Sequence, residues 1–246
     1  MTRVALFPTC LVELTAARVG FATMAVLERL GIRAEVPEAG FCCGQPAFNS
    51  GFHEEARQLA EDTVAALQPY DVVLVPSGSC AAMLRVEVPR LVAPDWREAA
   101  AGVASRTYEL VDYLVQEDLV NRIQGRFPHR VMVHGSCHAT RWLGQLGQLE
   151  KVVGRLADAT VLAFPHPSLC CGFGGTFSVH FPQLSLAMAD AKLDDIVAQE
   201  AEVIVSGDLG CLHHLAGRLL ARGLDVRVMH IAELLAEATE VGAHGA

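Results

Sequence analysis

Positive charge is scarce in this chain, and so are long apolar runs and the short motifs that mark most enzymes. Its 19 lysines and arginines stand against 28 aspartates and glutamates, a formal net charge of −9. Phosphate contacts need clustered Lys and Arg, so nucleic acid is excluded as an expected partner. Anionic membrane surfaces are disfavoured for the same reason. No stretch approaches the roughly eighteen apolar residues of a membrane-spanning helix, so no span is expected. The opening MTRVALFPTCLVEL is interrupted too early for a signal peptide and reads as a first strand. No phosphate loop or G-x-G-x-x-G is present, nor H-E-x-x-H, nor a serine nucleophile elbow. Flavin or nicotinamide binding by this chain alone is therefore not expected. There is also no C-x2-C pair of the zinc-ribbon kind and no ferredoxin-type cysteine run.

What is present is a core-forming composition and cysteine. Of the 246 residues, 52% are hydrophobic and 19% charged, which excludes disorder and leaves room for one or two domains. Eight cysteines occur, at Cys10, Cys42, Cys43, Cys80, Cys137, Cys170, Cys171 and Cys211. A cytoplasmic setting, where thiols stay reduced, is expected, and there such a count points to metal or redox chemistry. The pattern of one cysteine, then Cys-Cys-Gly, then one cysteine occurs twice, offset by 127 to 131 residues. This is an internal duplication.

Periodicity and punctuation place strands at Arg3–Phe7, Arg33–Val36 and Asp71–Val75, then at Arg130–Val133, Thr160–Phe164, Val203–Val205 and Val226–Met229. Helices are expected over Thr15–Leu30, His53–Leu67, Cys80–Leu91, Tyr108–Ile123, Thr140–Leu156, Phe181–Gln199, Leu212–Arg222 and Ile231–Ala238. Alternating strands and helices predict an α/β fold: two similar lobes of parallel βαβ units, with the cysteine loops at the strands' C-terminal ends. The repeats divide the chain at 1–125 and 126–246. Each lobe is expected to hold one four-cysteine cup, with Cys10, Cys42, Cys43 and Cys80 in the first. Cys137, Cys170, Cys171 and Cys211 make the second.

Thiolates are soft ligands that select iron–sulfur clusters, zinc or copper(I). Adjacent cysteines sit awkwardly on one tetrahedral ion, because neighbouring side chains in extended backbone point apart. A multi-iron cluster relaxes this, so iron–sulfur is the favoured reading, with zinc and metal-free thiol chemistry left open. Gly44 and Gly172 would let the backbone turn tightly and bring amides near sulfur. His214, three residues after Cys211, could be a further ligand, but a supporting or surface role is the expected one; Met83 holds the matching place in the first half. His138 and Arg141 are candidates for proton transfer and carboxylate binding. His134 and His166 flank the same region, where hydrogen bonding at strand ends is their expected role.

These residues carry a resemblance. The segments are Phe7-Pro8-Thr9-Cys10, Phe41-Cys42-Cys43-Gly44-Gln45-Pro46-Ala47-Phe48 and Pro76-Ser77-Gly78-Ser79-Cys80. In the second half they are Ser136-Cys137-His138, Cys170-Cys171-Gly172-Phe173-Gly174-Gly175 and Val228-Met229-His230-Ile231-Ala232-Glu233. Over nearly its whole length the chain resembles the duplicated cysteine-rich (CCG) domain family. That family includes the cysteine-rich component of heterodisulfide reductase and iron–sulfur subunits of glycolate and glycerol-3-phosphate oxidation systems. The flanking residues are most similar to its lactate utilization branch. The resemblance implies an iron–sulfur subunit of an L-lactate oxidising system, with lactate, a small 2-hydroxy acid, becoming pyruvate and electrons passing toward the respiratory chain. It implies iron–sulfur clusters of the [4Fe-4S] type on the eight cysteines. It also implies two partners, a ferredoxin-like iron–sulfur subunit and a third small subunit. Glycolate or a disulfide as substrate, or a zinc-stabilised binding module, are the alternatives. The heterodisulfide relatives close each site with C-x2-C, whereas Met83 and His214 stand at that last position here.

Overall fold

The structure, a computed structural model, describes residues 2–38, 42–145, 147–167 and 169–243. Phe41, which opens the first Cys-Cys-Gly motif, lies outside the described residues. Among the described residues, eight strands form two four-stranded parallel sheets. The first holds β1 (Val4–Leu6), β2 (Ala34–Glu35), β3 (Val72–Val75) and β4 (Thr107–Glu109), in the order β2-β1-β3-β4. The second holds β5 (Arg130–Val133), β6 (Thr160–Leu162), β7 (Val203–Ser206) and β8 (Arg227–His230), in the matching order β6-β5-β7-β8. The central registers match as well: Val4 faces Val72 and Val131 faces Val203. This is the α/β duplication that the sequence predicts.

The central strands are almost wholly apolar because both faces are covered. Alternate residues point to opposite faces, and here they enter different cores. Val4, Leu74, Val131, Val133, Val203 and Val205 share one core that joins the lobes. Ala5, Phe7, Val73 and Val75 turn instead to the first lobe's outer layer. Met132 and Ile204 turn to that of the second. The helices Ala17–Arg29 and Ile231–Ala243 pack together across the shared core. The lobes also exchange elements. Val12, Ala16 and Val19 of the first half pack into the second lobe's outer core, and Leu143 of the second half packs against the first's.

Several elements differ from expectation. The helix expected over Thr15–Leu30 is preceded by a separate one, Cys10–Thr15, and the two break at Ala16, where φ is −151°. The helix expected from Cys80 starts at Gly78 and passes through a π-helical turn, Met83–Glu87, just before Pro89. Proline has no N–H to close an ordinary helical bond, and a widened turn accommodates it. The stretch expected as helix Tyr108–Ile123 begins with β4, then forms the helix Leu110–Gln116 and a 3-10 turn, Leu119–Arg122. Three residues are too few for an alternation to be read. The helix Arg97–Ser105 before it was not anticipated. The helix expected over Thr140–Leu156 is split into Cys137–Arg141 and Gln148–Val153, because Gly144 and Gly147 take φ of +69° and +79°.

Candidate metal centre

The strand order reverses between β1 and β3, and again between β5 and β7. Such switch points open a crevice at the strands' C-terminal ends, and the cysteines stand there. Cys10 and Cys137 are the first residues of the short helices after β1 and β5. Cys80 and Cys211 are each the third residue of the helix after β3 and β7. The caps correspond too. Thr9 Oγ1 accepts from Val12 N at 3.5 Å, Ser136 Oγ from Ala139 N at 3.3 Å and Ser77 Oγ from Cys80 N at 3.4 Å. Asp208, the fourth cap, reaches across to the other lobe and accepts from Ser79 N at 2.9 Å.

The Cys-Cys-Gly loops complete the cups. Gly44 and Gly172 take φ of +82° and +93°. A Cβ at Gly172 would lie 2.3 Å from the Ser185 carbonyl oxygen, and one at Gly44 would lie 3.0 Å from that of Ala56. Only glycine allows both the left-handed backbone and that approach. In the first cup Cys43 Sγ lies 3.3 Å from Cys80 Sγ, and Cys10 hydrogen-bonds Cys42. In the second, Cys171 Sγ lies 3.0 Å from Cys211 Sγ, and Cys170 is bonded by Cys137 and Cys171. Backbone amides add to this: Gly172 N donates to Cys170 Sγ at 3.4 Å and Phe173 N to Cys171 Sγ at 3.5 Å.

The Cys10 hydrogen bond holds Cys42 down to about 6, and the bonds from Cys137 and Cys171 hold Cys170 far below the usual thiol range. Cys10 and Cys137 are pushed up by the same bonds and by burial. Each cup thus already favours one thiolate, the form that binds metal. Both cups face a single cavity of about 340 Å³, lined by seven of the eight cysteines. Cys42 joins through its bond with Cys10.

His138 lines this cavity, with Nδ1 3.6 Å from Cys137 Sγ and Nε2 3.3 Å from Gln45 Nε2. Arg141, at the end of the same helix, is exposed and not among the lining residues. His214 Nε2 lies 3.1 Å from Ser185 Oγ, which donates to the Gly172 carbonyl at 2.7 Å, so it braces the Cys-Cys-Gly loop. His166 is exposed. His134 also meets the thiols: its ring and the sulfurs of Cys171 and Cys211 offer ligand atoms all within 4.8 Å of one another. It is buried, neither ring nitrogen has a hydrogen-bond partner among the described residues, and burial pushes it down to about 3. Lys192 is wholly buried close by, also without a hydrogen-bond partner among the described residues. Lys192 falls between Ala189 and Ile196 on the apolar face of its helix, a placement legible in the sequence. Four thiols per cup, with orphaned buried polar groups beside one of them, suit a thiolate-bound metal centre.

Paired lobes with a cysteine cup in each define a duplicated cysteine-rich protein with a metal-binding type of site. The Cysteine-rich domain family model matches residues 4–85 and 131–216. Lactate utilization protein A of Bacillus velezensis is 43% identical over 235 residues, 95% of this chain and 98% of that protein. Its namesake in Geobacillus thermodenitrificans is 41% identical over the same shares, and that of Exiguobacterium is 41% identical over 241 residues, 96% and 98% of the two chains. The chain belongs to the lactate utilization protein A family of duplicated cysteine-rich domain proteins. Among solved structures, an aspartate racemase homologue from Pyrococcus horikoshii OT3 aligns over 99% of this chain and 100% of its own at 10% identity, but its TM-score of 0.35 is too low to bear on fold or function. No helix of the described residues is long and apolar enough to cross a membrane.

Proposed function

We propose that this chain is an iron–sulfur redox subunit of an L-lactate utilization system, working in the cytoplasm. The observation that carries the reading is the convergence of two four-thiol cups on one cavity, in a chain whose relatives bear the lactate utilization name. Cys10, Cys42, Cys43 and Cys80 would hold one [4Fe-4S] cluster, and Cys137, Cys170, Cys171 and Cys211 the other. When bound, such clusters supply one-electron storage and release. Oxidation of L-lactate to pyruvate yields two electrons and two protons. The electrons pass toward the respiratory chain with the help of a ferredoxin-like iron–sulfur subunit and a third small subunit.

The chain's own groups have defined parts in this reading. Backbone amides at Gly172 and Phe173 donate to sulfur and disperse its charge. Leu11, Pro46 and Val179 give the cavity an apolar wall. His138 handles the proton at the cavity.

The test is iron, zinc and acid-labile sulfide per chain, on protein purified without oxygen. Iron matched by sulfide is the expected result, followed by lactate-dependent bleaching of the brown colour once both partners are added. Zinc without sulfide would overturn it. The Cys171, Cys211 and His134 donors are of a kind zinc accepts, which favours a zinc-stabilised binding module as the second reading.

A further inference from the structure

The two cups share a cysteine pattern but not their surroundings. Backbone bonds fix which residues correspond. Phe7 N donates to Leu74 O at 2.8 Å and His134 N to Val205 O at 2.7 Å, so Phe7 and His134 hold the same place after β1 and β5. Gly44 abuts the Ala56 carbonyl as Gly172 abuts that of Ser185, and that register sets Lys192 opposite Thr63. The first cup is therefore flanked by two neutral residues, and the Thr63 hydroxyl is already spent on the Cys42 carbonyl at 2.9 Å. The second is flanked by a lysine and an imidazole.

Lys192 Nζ sits 3.9 Å from the centre of the Phe164 ring, which meets the His134 ring edge-on at 6.1 Å. Burial pushes Lys192 below the usual lysine range, and the nearby Cys171, Cys211, Asp195 and Cys170 act in the opposite direction. A buried ammonium without a hydrogen-bonded counter-ion is costly. A ring face offsets only part of that cost. Metal-bound thiolates would supply the missing negative charge. Asp208, a buried acidic residue, is within electrostatic range of Cys80 in the first cup and of Cys137 and Cys211 in the second, so it acts on both.

We propose that Lys192 balances the charge of the centre in the second cup, so that the two cups hold inequivalent centres and the second has the higher reduction potential. The inference rests on the iron–sulfur reading above. Added positive charge favours the reduced, more negative state of a cluster, since net charge and hydrogen bonds set its potential. The second cup is then the electron sink of the pair, and the first the lower-potential member.

The experiment is a redox titration of the full chain, purified without oxygen and followed by electron paramagnetic resonance. Cys43→Ser and Cys171→Ser assign each signal to its cup. Lys192→Met should change the reduced-to-oxidised ratio of the second cup at least tenfold toward the oxidised form, a fall of about 59 mV for one electron. The first cup should not move, and Lys192→Arg, which keeps the charge, should stay near the parent value. Equal potentials in the parent protein, or a Lys192→Met shift that is absent or common to both cups, would overturn the inference while leaving the iron–sulfur reading intact. Absence of iron and sulfide, read from the metal analysis, would remove that reading and this inference with it.

Discussion

His230 Nε2 donates to the Pro76 carbonyl at 3.1 Å, tying the end of β8 to the turn that leads into the Cys80 helix of the other lobe. The tautomer follows from the ring's other side, where Nδ1 accepts from Ala232 N at 3.1 Å. The counterpart of His230 at the end of β4 is Glu109, whose Oε2 accepts from Val111 N at 2.8 Å and Asp112 N at 3.2 Å. Glu109 Oε1 faces Gly207 of the second lobe. One junction is thus closed by a neutral imidazole and the other by a buried carboxyl.

The imidazole makes the junction acid-sensitive. Burial holds His230 down to about 4 against the usual 6.5. Its contribution is whole above 6.5 and is lost as pH falls toward 4, because the unfolded chain binds the proton first. The loss should reach about 3 kcal/mol near the lower value. Denaturant unfolding of the parent and of His230→Gln between pH 7 and pH 4 checks it; parallel profiles would exclude the effect.

The carboxyl acts with the opposite sign. Burial lifts Glu109 to about 8 from 4.5. Its contribution is whole below 4.5 and is lost as pH rises through 8, since the folded chain holds the proton longer. Glu109→Gln keeps an acceptor for the two amides and never ionises. The variant should gain stability relative to the parent between pH 5 and pH 9, by a few kcal/mol at the upper end. Melting curves across that range decide it.

Backbone conformation at the cups is the next test. Gly172→Ala combines φ of +93° with a 2.3 Å clash against the Ser185 carbonyl. It should cost about 2–4 kcal/mol and empty the second cup. Gly44→Ala, with its 3.0 Å contact, should be milder. Metal content and melting temperature of the two variants, side by side, give the order.

Grouping of the cysteines is tested by single replacements. Cys43→Ser and Cys171→Ser should each remove about half of the bound metal, because each takes a donor from one cup. Retention of all metal in both variants would contradict the four-and-four grouping.

Much of this architecture was legible in local pattern. The helix His53–Leu67 and the strand Arg130–Val133 were read with the bounds they have, since their periodicity is strong and their ends are marked by turns. The doubled Cys-Cys-Gly spacing announced two lobes and the loops that bear the thiols. β4 escaped because Thr107–Glu109 is three residues long and runs directly into the helix Leu110–Gln116. Among the histidines, His214 drew attention by its nearness to Cys211 in sequence, yet it braces a loop, and His134 reaches the sulfurs from the end of β5.

The sequence by itself determined the fold class, the duplication and the eight thiols, because these depend on residue type and short-range spacing. Only the tertiary structure decided that both cups open on one cavity and that one of them has a buried lysine and imidazole beside it. Those facts depend on which apolar face meets which. The helix Ala17–Arg29 shows an apolar stripe, but nothing local states that its partner is Ile231–Ala243, from the far end of the chain. That pairing closes the shared core.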